Sequence, residues 1–202
     1  MVDPVYVNCK NLISQRRENK KKIRFAFIGE VSERKGIYQL LKVIDNLNED
    51  IRNRISITIA GNASKKKELV AQMISEIQVK YYGLIEEVVL DRISDEHFEE
   101  ILANTDVVLC LHQILEGSSG VIGKAAAFNK IIIGPKKGLI GELMSDYKLG
   151  IQVNTSDVNE ICQGFKYIVS KNAAVPKGRV KEYVMERTPL KFFHALTEES
   201  FQ

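Results

Sequence analysis

"KIRFAFIGEVSERKGIYQLLKVIDNL" (Lys22–Leu47) changes its period part-way along. Lys22–Val31 is nearly continuous apolar sequence, as in a strand covered on both faces. "SERKG" is a polar turn that ends in Gly36. Beyond it, apolar residues fall at 37, 40, 41, 44 and 47, which is helical spacing. A doubly covered strand passing through a short turn into an amphipathic helix is one βα unit of a parallel sheet.

Outward from that unit the alternation repeats. Strands are predicted at Arg54–Gly61, Glu86–Ile93, Asp106–His112, 130–135 ("KIIIGP") and 149–154 ("LGIQVN"). Helical patterns lie between them: one opening at Asn62 or Ser64, then 94–105, 120–128, 139–147 and 157–170. With the first strand this makes six strands joined by short helical crossovers. That is the pattern of a doubly wound parallel α/β sheet with helices on both faces. Residues 1–22 read as a linker or arm, 23–170 as the domain, and 171–202 as a C-terminal helical tail. The last helix of that tail is capped by Thr188, with Pro189 in its first position.

Of the 202 residues, 45% are hydrophobic, enough for a substantial core, and 27% are charged, with the signs interspersed. A net charge of +3 is too small to argue for nucleic acid. The basic run "RRENKKK" (Arg16–Lys22) reads as a solvated linker or as a patch touching anionic lipid. Cys9, Cys110 and Cys162 are odd in number and form no CxxC, which suits a reducing compartment. No run is long and apolar enough to span a bilayer, and "MVDPVYVNCK" has no signal-peptide core. The expectation is a soluble cytoplasmic chain that works in part at the inner face of a membrane.

Ligands of open parallel sheets bind beyond the carboxyl ends of the strands. Glu30, Arg34, Lys35 and Gly36 follow the first strand, and Asp91 and Arg92 the third. His112, Glu116 and "GSSG" (Gly117–Gly120) follow the fourth, and Lys136 and Lys137 the fifth. "GSSG" opens a helix, where free N–H groups and the positive dipole end suit an anion. Serine and glycine are equally ordinary caps, so this stretch alone leaves both readings open. Lys35 arriving from another loop favours a diphosphate. No GxGxxG follows the first strand, and there is no Walker A loop, GxSxG elbow or metal-ligand spacing. His97 and His194 read as surface or packing residues. His112 ends a strand in the cleft zone and is a candidate substrate contact.

"FAFIGEVSERKGIYQLLKVI", "DVVLCLHQILEGSSGVIGKAAAFNKIIIGP" and "GLIGELMSDYKLGIQV" together resemble the C-terminal half of glycosyltransferase family 4, retaining enzymes built from two facing Rossmann-like domains (the GT-B fold). The resemblance covers roughly 22–170. It implies a domain that binds a nucleotide diphosphate sugar as donor substrate, without a metal or other cofactor. It also implies a role in surface polysaccharide or glycoconjugate synthesis. The family turn G-R-x-x-x-x-K-G places an arginine and a lysine on the diphosphate. Here "GEVSERKG" keeps Lys35 but has Glu30 at the arginine position. Of the family's two glutamates, which have seven residues between them, Glu116 matches the first, beside the donor sugar. Lys124 replaces the second, which holds the ribose.

The two departures reverse charge in opposite directions. They read as compensating, with Glu30 paired to Lys124 or near the ribose, or as the decay of the site. The resemblance further implies roles for Arg34, Gly117, Ser118, Ser119, Gly120 and Val121 at the phosphates, and for Arg92 and Ile93 at the base. The family's N-terminal acceptor domain has no counterpart in this sequence. The expectation is therefore a fragment, a separate acceptor polypeptide, or a binding module that does not catalyse. The final "LKFFHALTEESF" is expected to pack on its own domain or to mediate a homodimer.

Overall fold

The computed structural model describes residues 4–5, 22–63, 66–114, 119–174 and 178–188. Six strands form one sheet in the order β3-β2-β1-β4-β5-β6. They are β1 (Ile23–Ile28), β2 (Ile55–Ala60), β3 (Ile85–Val89), β4 (Val107–Leu109), β5 (Ile131–Pro135) and β6 (Gly150–Val153). Every pairing is parallel, as the strand–helix alternation predicts. The helices are α1 (Ile37–Asn46), α2 (Glu49–Asn53), α3 (Lys67–Lys80), α4 (Asp95–Asn104), α5 (Gly120–Ala127), α6 (Gly138–Tyr147), α7 (Val158–Ser170) and α8 (Val180–Glu186). The short α2 has no counterpart in the expected pattern. Asn48 caps it, accepting from the Ile51 amide at 3.0 Å.

Side chains of a strand alternate between faces, and here the alternation separates two cores. Phe25 and Phe27 of β1, the three isoleucines of β2, Val107 and Leu109, and Ile131 and Ile133 face α1, α3 and α7. Ala26, Ile28, Val108 and Ile132 face α4, α5, α6 and α8. In the first core Phe25 and Phe165 stack at 4.4 Å with their rings 9° apart. The second core extends beyond the expected domain. Val180 and Tyr183 of α8 are buried in it, so the described part of the C-terminal segment is built into the domain. Val5 joins it as well, its amide donating to the Arg187 carbonyl at 2.7 Å.

The strand order reverses at β1, whose neighbours are β2 and β4. The crevice at such a switch point is where open α/β sheets bind ligands. β4 is shorter than expected because the chain turns out of the ladder towards the β1–α1 turn. Gln113 N donates to the Arg34 carbonyl at 2.9 Å, and Gln113 Nε2 bridges the carbonyls of Leu111 and Thr155.

Candidate functional site

Two glycines set the turn after β1. Gly29 has φ +113° and Gly36 has φ +90°, values that L side chains rarely adopt. A Cβ on Gly36 would overlap the Leu111 carbonyl, so the turn lies directly against the exit of β4. A short 3-10 segment, Glu33–Lys35, carries the cations. A Cβ on Gly29 would stand 3.1 Å from Val121, in the first turn of α5. The β1–α1 turn, the β4 exit and the start of α5 thus meet at the switch point.

A small cleft lies there, lined by Glu30, Lys35, Cys110, His112 and Val121 among others. Lys35 Nζ is 2.6 Å from His112 Nε2. His112 is 5% exposed, and its carbonyl accepts from Thr155 Oγ1 at 2.7 Å. Burial first, then the charges of Lys35 and Arg34, hold His112 down to about 4, so the ring is neutral near neutral pH. Burial pushes the Cys110 thiol up to about 12, which leaves it inert. At the start of α5, Ser119 is the N-cap residue, yet its side chain caps no backbone amide. Its Oγ is buried and has no hydrogen-bond partner. A buried hydroxyl left unused at a helix N-terminus is an arrangement an anion would complete.

The expected Glu30–Lys124 pair is not formed. Glu30 bonds to Arg34, four residues on, in the same turn. Partial burial raises the Glu30 carboxyl, but the Arg34 guanidinium bonded to it and the nearby Lys35 charge help to outweigh that, and the net direction is down. Lys124 lies on the α5 face that packs on α4, with its ammonium 2.6 Å from Asp95 and 4.6 Å from the centre of the Phe98 ring. The hydrogen bond from Lys124, followed by its charge, lowers the Asp95 carboxyl. The physical reason is reach: Glu30 finds a cation four residues on in its own turn, and Lys124 finds a carboxylate on the neighbouring α4. Arg92 is exposed, and Ile93 is half-buried against the second core. Glu116, Gly117 and Ser118 lie outside the described residues. Gly120 is exposed, and a Cβ there would meet nothing within 4 Å.

Two features escaped the sequence reading. Asp95 follows β3 just as Arg92 does, and that position was its only signal. A cavity of about 480 Å³ lies on the α1/α3 side of the turn, lined by Arg34, Tyr38, Asn62, Lys66, Val70 and Gln113 among others. Its residues come from three loops and two helices, and no spacing links them. Among the described residues, no three His, Cys, Asp or Glu gather to hold a metal ion. No described helix is long and apolar enough to cross a membrane.

Residues 10–182 match the family described as glycosyl transferases group 1. The chain belongs to that family. No curated protein matches the sequence significantly. Solved structures with the same fold include a glycosyltransferase from Rickettsia africae, with TM-score 0.74 and 16% identity, covering 100% of this chain and 56% of that one. Anabaena Alr3699/HepE in complex with UDP and glucose gives TM-score 0.73 and 14% identity, covering 96% and 53%. The C-terminal domain of a group 1 protein (LpcC) from Francisella tularensis gives 0.60 and 14%, covering 92% and 90%. This group 1 chain therefore spans about half the length of the first two and nearly all of an isolated C-terminal domain. At these identities the likeness is one of fold: half of the GT-B architecture.

Proposed function

We propose that the chain is the donor-binding half of a retaining glycosyltransferase that moves a sugar from a nucleotide diphosphate sugar to an acceptor hydroxyl, in surface polysaccharide or glycoconjugate synthesis. The observation that carries this is the switch-point cleft, lined by Lys35 and by Val121 in the first turn of α5, the helix that Ser119 opens with a buried hydroxyl. As the anomeric bond breaks, negative charge builds on the leaving diphosphate. Lys35 and the N–H groups of Ser119, Gly120 and Val121 stabilise that charge. Arg34 pairs with Glu30 in the same turn, four residues on. Glu116, which lies outside the described residues, is assigned to the donor sugar by its match to the family motif. Arg92 and Ile93 border the base, with Lys124 and Asp95 next to them. No metal takes part in this scheme. An acceptor domain, on this chain's natural polypeptide or on a separate one, closes the cleft. Contact of Arg16–Lys22 with anionic lipid and pairing of copies through the C-terminal tail belong to the same reading.

A non-catalytic nucleotide-sugar-binding or interaction module is the second reading. What favours it is that both charge reversals are absorbed locally, by Arg34 and by Asp95. Calorimetric titration with UDP first, the nucleotide held by the Anabaena neighbour, then GDP and ADP, tests the shared premise. Saturable binding is expected, weakened roughly tenfold or more by Lys35→Ala, the size of a lost charge-assisted contact. No binding of any of the three would end the donor-site reading. Turnover of the donor once an acceptor domain is added separates the catalytic from the non-catalytic version.

A further inference from the structure

Lys35 and His112 are 77 residues apart in sequence, and they reach the cleft from the segments that follow β1 and β4. We infer that His112 is a positioning residue: its imidazole accepts a hydrogen bond at Nε2 from the Lys35 ammonium and thereby sets where that charge faces. The use of that charge on a diphosphate rests on the function proposed above, whereas the hydrogen bond does not.

Lysine has three donors and no acceptor, so at 2.6 Å the ring nitrogen must accept. That requires a neutral imidazole carrying its proton on Nδ1. The low affinity of His112 for a second proton, set by burial and the neighbouring cations, agrees with this. The main chain that carries His112 is held in place. Its carbonyl takes the Thr155 hydroxyl, and the next residue, Gln113, is bonded through its amide to Arg34 and through its side chain to Leu111 and Thr155.

The choice of partner has a chemical consequence. A lysine stem has four flexible carbons, and ordering it costs entropy at the moment of binding. A carboxylate would order the stem but would also cancel the charge that an anion needs. A neutral imidazole orders it and leaves the charge intact. The carboxylate that lines the same cleft, Glu30, is engaged by Arg34. His112 therefore acts through Lys35 and not as the substrate contact its sequence position suggests.

Two measurements test this. In uniformly ¹⁵N-labelled protein, long-range ¹H–¹⁵N correlation of the imidazoles, assigned with His112→Gln, is expected to show the Nδ1–H tautomer. The Nε2 resonance is expected to move in Lys35→Ala. An Nε2–H tautomer, or no response to Lys35→Ala, overturns the proposal whether or not any nucleotide binds. In UDP titrations, His112→Leu should weaken binding roughly tenfold, as expected for losing a hydrogen bond to a charged group. His112→Gln, which retains an acceptor, should recover most of that loss. In the Lys35→Ala background His112→Leu should add nothing. Equal losses in both backgrounds would mean that the ring only fills space and would overturn it. Should His112→Leu fail to fold, the same comparison is made with His112→Ala, which also removes the acceptor. If native protein binds no nucleotide diphosphate, the donor-site reading falls alone and the tautomer decides this one.

Discussion

Gly36 shows how narrowly one position in the β1–α1 turn is set. It sits at φ +90°, and any Cβ would overlap the Leu111 carbonyl. Gly36→Ala is expected to cost about 2–3 kcal/mol or more, from the left-handed conformation and the displaced backbone together. A urea midpoint within error of native would refute this. His112 carries a prediction of pH dependence. Its affinity for the proton is lowered from the usual value near 6.5 to about 4. Between those values the unfolded chain binds the proton and the folded chain does not, so stability is full above about 6.5 and is lost as pH falls through that window. The loss reaches on the order of 3 kcal/mol. Urea midpoints at pH 7 and pH 4.5 should therefore differ more in the native protein than in His112→Gln. Carboxylates held low by partners, such as Glu30 and Asp95, contribute alike to both proteins, and the comparison removes them.

At the scale of elements, α7 is the clasp between the two ends of the chain's first core. It packs on α1 and reaches α2, and its Phe165 stacks on Phe25 of the central strand. Asp157 starts the helix, accepting from the amides of Asn159 and Glu160. Phe165 is fully buried, so Phe165→Ala leaves a cavity that surrounding strands cannot collapse to fill. A loss of about 3–5 kcal/mol is expected. Chemical denaturation checks it, and a loss below about 1 kcal/mol would show that the stack is not part of the cooperative core.

For the whole molecule, the second core is completed from outside the expected domain. Val180 and Tyr183 of α8 pack on α5 and α6, and Val5 fills the space beside Gly123 of α5. A Cβ on Gly123 would stand 2.9 Å from Val5. The same helix, α5, presents its N-terminus to the cleft. Ending the chain after Ala174 should cost more than about 3 kcal/mol by uncovering buried aromatic and aliphatic surface, and should weaken UDP binding along with it. Unchanged stability of the truncated chain, read by thermal melting, would mean that the segment is an appendage after all.

The order of strands and helices was written in local period, and that much needed only the sequence. The Lys22–Leu47 unit shows it in one stretch, because burying one face or two dictates where apolar residues fall. Lys35 as the cation of the turn was legible for the same reason: the residue and its turn are contiguous. The partners were not. Glu30 and Lys124 looked complementary as two charges, but side-chain direction gave one to Arg34 and the other to Asp95. The Lys35–His112 contact and the docking of α8 join residues that are distant in the chain. Whether two such groups meet depends on strand order and helix packing, which no local pattern encodes, so tertiary structure alone decided them.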